Sequence, residues 1–132
     1  MPIRTVVAFV RSTAERRRLF RLARGLRVRL ECCVTIDDVR AAVARLSAAA
    51  LLTPACDEVG TPVAAALQEI RRLAPTLGIV VLLGPRCPSN IAIAALRVAD
   101  EAVFDADLGA ASLWFAINRA ATRRRNSVVR TR

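Results

Sequence analysis

The chain has no histidine, no lysine and no tyrosine, and only five glycines and one tryptophan in 132 residues. Each absence removes a kind of chemistry. Without histidine there is no imidazole to act as a base near neutral pH or to ligate a metal. Without lysine there is no Schiff-base amine and no phosphate-holding lysine of the P-loop kind. The glycines form neither G-x-G-x-x-G nor G-x-x-x-x-G-K, so dinucleotide and P-loop chemistry are not expected. No apolar run approaches the roughly 18 residues of a membrane span. Thr5 to Val10, closed by Arg11, is too short for a signal-peptide core. The expected location is the cytoplasm, with no membrane partner. The four cysteines contain no C-x-x-C pair: Cys32 and Cys33 are adjacent, and Cys56 and Cys87 stand alone. They read as small buried hydrophobes, not as a zinc set or a disulfide framework. No metal, no other cofactor and no catalytic residues are expected.

What the chain does have is aliphatic content and arginine. Apolar residues make up 55%, but aromatics only 4%, so the core must be aliphatic. A chain of this length suits one domain and can bury about 68% of its extended surface. The net charge is +10, and all 21 basic residues are arginine. Nine arginines and one acid lie in residues 1–30, and six arginines and no acid in residues 119–132. The middle carries six arginines and ten acids. Basic charge therefore sits at the two chain ends, around an acidic middle.

The punctuation repeats. Arg4 to Val10 reads as a strand by its β-branched content. Ser12 to Glu15 has capping-box spacing, and Leu19, Leu22, Ala23 and Leu26 form the inner face of the helix that follows, with Gly25 as its stop. Val28 to Val34 is a second strand, and Thr35 caps a helix with Val39, Ala42, Val43 and Leu46 inward. Ala48 to Leu52 is a third strand, halted at Thr53-Pro54. Thr61-Pro62 reads as the cap and first position of a helix ending at Pro75. Gly78 to Gly84 is a continuous apolar run suited to a central parallel strand. Ser89 caps a helix over Asn90 to Ala99, Glu101 to Phe104 is a fifth strand, and residues 110–125 form the last helix. Five βα units predict a three-layer α/β fold. In it a doubly wound parallel sheet has strand order 2-1-3-4-5. Residues 1–125 form that domain, and 126–132 read as a basic tail or the start of a linker.

In element order and spacing the chain resembles the receiver domain of response regulators. Two stretches carry the likeness locally: "ALLTPACDEVGTPVAAALQEIRRLAP" (50–75) and "ALRVADEAVFDADLGAASLWFAI" (95–117). The resemblance implies a phosphoacceptor aspartate at the end of the third strand, an acidic pair after the first, a hydroxyl after the fourth and a lysine after the fifth. Those positions fall on Thr53, on Val10 and Arg11, on Leu83 or Gly84, and on Asp105. None carries the required group. The expectation is a degenerate receiver, a non-catalytic regulatory module in transcription that acts by dimerising or by docking on an output domain. Ile91, Ile93, Leu96, Trp114 and Phe115 are candidates for its dimer surface. In the alternative reading, a stand-alone nucleic-acid-binding protein uses the first and last helices. Its phosphate contacts come from Arg17, Arg18, Arg21, Arg24, Arg123, Arg124 and Arg125, with Arg119 beside them.

Overall fold

Five short aliphatic runs pair side by side in one sheet. The computed structural model describes residues 3–130. Its strands are β1 (Arg4–Phe9), β2 (Val28–Cys33), β3 (Ala50–Pro54), β4 (Gly78–Leu83) and β5 (Glu101–Phe104). All pair in parallel, in the order β2-β1-β3-β4-β5. The helices between and after them are α1 (Thr13–Ala23), α2 (Ile36–Leu46), α3 (Ala64–Leu73), α4 (Ser89–Val98) and α5 (Ala110–Arg130). The predicted fold and strand order are those observed.

Strand alternation makes two cores, one on each face. Val7, Leu51, Ile79 and Val81 face α2, α3 and α4, where Val39, Leu67, Ile70 and Ala95 meet them. Val6, Ala8, Leu52 and Val80 face α1 and α5, where Leu19, Leu113 and Ile117 meet them. The central strands β3 and β4 are buried on both faces, which is why they read as unbroken apolar runs. Fully burying side chains such as Leu51, Ile79 and Ile117 stabilises the fold by about 1.5–3 kcal/mol each. Gly78 is fixed by packing. A Cβ there would lie 2.5 Å from the Ala120 carbonyl carbon, so α5 rests directly on the start of β4.

Side-chain caps set the starts of α1 and α2. Ser12 Oγ accepts from Glu15 N–H at 3.1 Å, and Thr35 Oγ1 accepts from Asp38 N–H at 3.1 Å. Gly25, just past α1, has φ +88°, the left-handed turn that favours glycine. Besides shifts of one or two residues at several element ends, four boundaries differ from the sequence reading. Strand β3 runs on through Thr53 and Pro54 to pair with Val81 and Leu82. Proline is tolerated there because the pairing of β3 with β1 has already ended at Leu52. Thr61-Pro62 does not start α3: the helix begins at Ala64 after Val63, and Pro62 bridges back to Cys56. Ser89 is the first residue of α4 rather than its cap, since Pro88 takes the capping position without a side-chain bond. Helix α5 does not end near Arg125. It continues to Arg130, because residues 126–130 contain neither glycine nor proline to stop it. Of the predicted tail, Thr131 and Arg132 lie outside the described residues.

Candidate functional site

The C-terminal ends of β1, β3, β4 and β5 surround a cavity of about 620 Å³. In an open parallel sheet this edge is where ligands bind, at the crevice where strand order reverses. The side chains that the strands turn toward it are apolar. Val10 follows β1, Pro54 closes β3, and Leu82 and Gly84 come from the end of β4. Leu19 of α1 and Leu108 beyond β5 complete the walls.

Two of the sequence-predicted residues, Thr53 and Leu83, do not line the cavity. Thr53 is not on the cavity. It shares the alternation of Leu51, which faces α2–α4, and it is only 1% exposed. Its hydroxyl donates to the Pro54 carbonyl at 2.9 Å. The β3 residue that meets the cavity is Pro54, which carries no reactive group. Likewise Leu83 packs in the α2–α4 core, and Leu82 and Gly84 line the cavity in its place. One-residue slips of this kind reverse the face, because side chains alternate with period two.

Charge enters the site on arginine. Arg11 lies between β1 and α1, and its guanidinium grips Glu15 at 2.7 Å. The Glu15 carboxylate also accepts from Arg11 backbone N–H at 2.6 Å. Burial works to raise the Glu15 pKa. The Arg11 hydrogen bonds and charge outweigh it and hold the carboxyl below its usual range. The hydrogen bond to Glu15 raises the Arg11 pKa in turn. Arg11 Nη1 also reaches the Cys56 carbonyl at 3.5 Å, linking the end of β1 to the β3–α3 loop. Across the cavity Arg18 of α1 holds Asp105 in two ways. Nη1 meets the carboxylate at 2.6 Å and Nη2 meets the backbone carbonyl at 3.0 Å. Asp57 is occupied locally, its Oδ1 accepting from the N–H groups of Val59 and Thr61. The capping-box spacing marked Glu15, but nothing in the sequence paired Arg11 or Arg18 with a partner.

At the opposite edge a second cluster was missed. The side chain of Asp100, 5% exposed, accepts from Arg71 at 2.9 Å, from Arg124 at 2.8 Å and from Ile79 N–H at 2.8 Å. Burial lowers the Arg71 pKa, against the opposing effect of Asp100. Arg71 also donates to the carbonyls of Leu77 and Val98, so one side chain ties α3, α4 and the start of β4 together.

These pairs sort the predicted arginines. Arg18, Arg123 and Arg124 are engaged within the fold, Arg123 at the Asp100 carbonyl. Arg17, Arg21, Arg24, Arg119 and Arg125 are exposed in the α1/α5 layer and have no ion-pair or hydrogen-bond partner among the described residues. The candidate dimer surface divides too. Ile93, Leu96 and Phe115 are exposed, at 50%, 40% and 59%. Trp114 is half-buried, and Ile91 packs into the α2–α4 core. Phe104, 63% exposed at the end of β5, was missed. Its alternation with the buried Val103 is the signal that places it outward.

No protein-family model matches the chain, and no curated protein matches it. Solved structures do. The signal receiver domain of an HD-domain-containing protein from Pseudomonas fluorescens Pf-5 superposes with a TM-score of 0.82 at 13% identity. That match covers 98% of this chain and 96% of the other. NtrX from Brucella abortus gives 0.80 at 18% identity, over all of this chain but 30% of the longer protein. The receiver domain of a sensor histidine kinase from Pseudomonas aeruginosa PAO1 gives 0.76 at 14% identity, covering 90% and 98%. It was solved with magnesium coordinated in its active-site cleft. The chain has the receiver fold.

That fold implies a magnesium site at this edge, and the residues here do not fit one. A hard divalent cation needs several oxygen donors with surplus negative charge. The cavity carries the Arg11 guanidinium after β1, and Glu15 and Asp105 are already neutralised by arginines. Among the described residues no group of three metal-ligating side chains occurs.

Proposed function

We propose that this protein is a regulatory module that works without phosphorylation, a receiver fold acting through its surface. The observation that carries this reading is the set of residues around the cavity. Val10, Pro54, Leu82 and Gly84 carry no side-chain oxygen, Arg11 brings positive charge, and Asp105 is clasped by Arg18. Phosphoryl transfer needs a nucleophilic oxygen at the strand ends, and these residues supply none. Regulation then runs through protein contacts. The exposed Ile93, Leu96, Phe104 and Phe115 lie on α4, β5 and α5 and supply an apolar surface for a second copy or an output domain. Residues 126–130 continue α5 as a helix, and a helical lead into an output domain is the linker this reading favours. A role in transcription is part of the same proposal.

Sedimentation equilibrium with and without a phosphodonor and magnesium tests it. The expected result is one association constant in both conditions, weakened at least tenfold by Phe104→Asp. An association that appears only with phosphodonor overturns the reading.

One observation favours a second reading, binding of nucleic-acid backbone. Five arginines without partners share the α1/α5 layer. Contacts from them go to phosphates and carry little sequence information. Arg17→Ala, Arg21→Ala and Arg125→Ala combined should abolish any duplex binding at low salt, measured by fluorescence anisotropy. Binding that survives the triple change sinks this reading.

A further inference from the structure

The cavity lacks phosphotransfer groups, yet it has not closed. Where such a fold loses its chemistry with no other use for the space, packing is free to fill it, since protein interiors are otherwise dense. Here the opening of about 620 Å³ persists, within the range of small-molecule sites. Its walls are apolar: Val10, Leu19, Pro54, Leu82 and Leu108. Its mouth carries a cation without a partner, Arg86, which is exposed in the β4–α4 loop. A second donor, Arg11 Nη1, is held only by contacts of 3.5 Å to the Cys56 carbonyl and 3.8 Å to its sulfur. Both are at the long limit for their kind and can be redirected. Two of the acids that could oppose an anion are neutralised, Glu15 by Arg11 and Asp105 by Arg18, whereas Asp57 accepts from loop N–H groups and keeps its charge. Glu58 alone is exposed and without a partner among the described residues.

We infer that this cavity is a binding site for a small organic molecule with an apolar body and one anionic group. The apolar body lies against the strand ends, and the anionic group meets Arg86 and Arg11 at the mouth. One charge is the limit, because the Asp57 and Glu58 carboxylates on the lining repel a second. Such a ligand touches the loops after β1, β3, β4 and β5 at once, and so converts a cavity into an input for the module. The inference rests on the reading of the site as one without phosphoryl chemistry. Phosphoryl uptake is measured separately by mass, so either idea can fail alone.

Anilinonaphthalene sulfonate, an aromatic body with a single sulfonate, is the probe. Titration followed by fluorescence should give saturable binding of one probe per chain. Gly84→Leu adds bulk to the lining at a position where a Cβ meets nothing within 4 Å. It should lower affinity at least tenfold. Ala14→Leu, on the α1 wall, should do the same if Gly84→Leu fails to fold. Arg86→Ala should weaken binding about threefold to tenfold and reduce its salt dependence. The double change Leu96→Asp with Phe104→Asp, on the exposed apolar surface, should leave affinity unchanged. Undiminished binding in folded Gly84→Leu or Ala14→Leu protein overturns the inference. So does loss of binding in the Leu96/Phe104 variant, or the absence of saturable binding to the unaltered protein.

Discussion

The two edges of the sheet use arginine and carboxylate in opposite ways. At the N-terminal edge, Asp100 is 5% exposed and serves Arg71, Arg124 and the Ile79 N–H together. At the C-terminal edge, Arg11–Glu15 and Arg18–Asp105 are separate pairs, a third to nearly half exposed, on the rim of open space. A buried charge with every partner in place is costly to disturb, whereas exposed pairs contribute little and are readily exchanged. The first edge holds helices against the sheet. The second keeps a space available.

The strongest way to break this comparison is at Asp100. Asp100→Ala leaves Arg71 and Arg124 without their carboxylate and should cost about 3–5 kcal/mol in urea unfolding. A loss below about 1 kcal/mol would make the two edges alike. Next come the two glycines that mark the edges. Gly78→Ala drives a Cβ into the α5 backbone and should cost about 2–3 kcal/mol. Gly84→Ala enters open space and should stay within about 0.5 kcal/mol of the unaltered protein. Arg18→Ala should cost less than about 1 kcal/mol, with the loss shrinking in high salt.

The smallest effect is the response to acid. The Glu15 pKa is lower folded than unfolded, so its contribution is fully present above the ordinary carboxylate range. It is lost as pH falls below that range through the depressed folded value. Glu15→Gln should therefore flatten the stability profile slightly at acid pH and leave the slope near neutrality unchanged, as read from thermal midpoints.

The fold was legible because it is written in periods. Two-residue alternation, helical spacing and cap residues such as Ser12 and Thr35 each need only local sequence. The site was half legible. The scarcity of reactive side chains at the strand ends could be read from residue types, but which residues meet the cavity could not. Counting along β3 reached Thr53, while the pleat brings Pro54 to the cavity, because pairing with β4 continues through the proline to Leu82. The ion pairs were invisible for another reason. Arg18 and Asp105 are 87 residues apart, and Arg71, Asp100 and Arg124 come from three distant segments. With 21 arginines and 11 acids, composition cannot choose partners, and only the folded geometry does. The same geometry divided the predicted basic surface into engaged and unpaired arginines.

The central claim is that this receiver fold does not accept a phosphoryl group. Intact-mass spectrometry after incubation with acetyl phosphate and magnesium tests it most directly, with spectra taken before and after acid treatment. The account predicts an unchanged mass throughout. One phosphoryl group per chain, acid-labile or acid-stable, would contradict it.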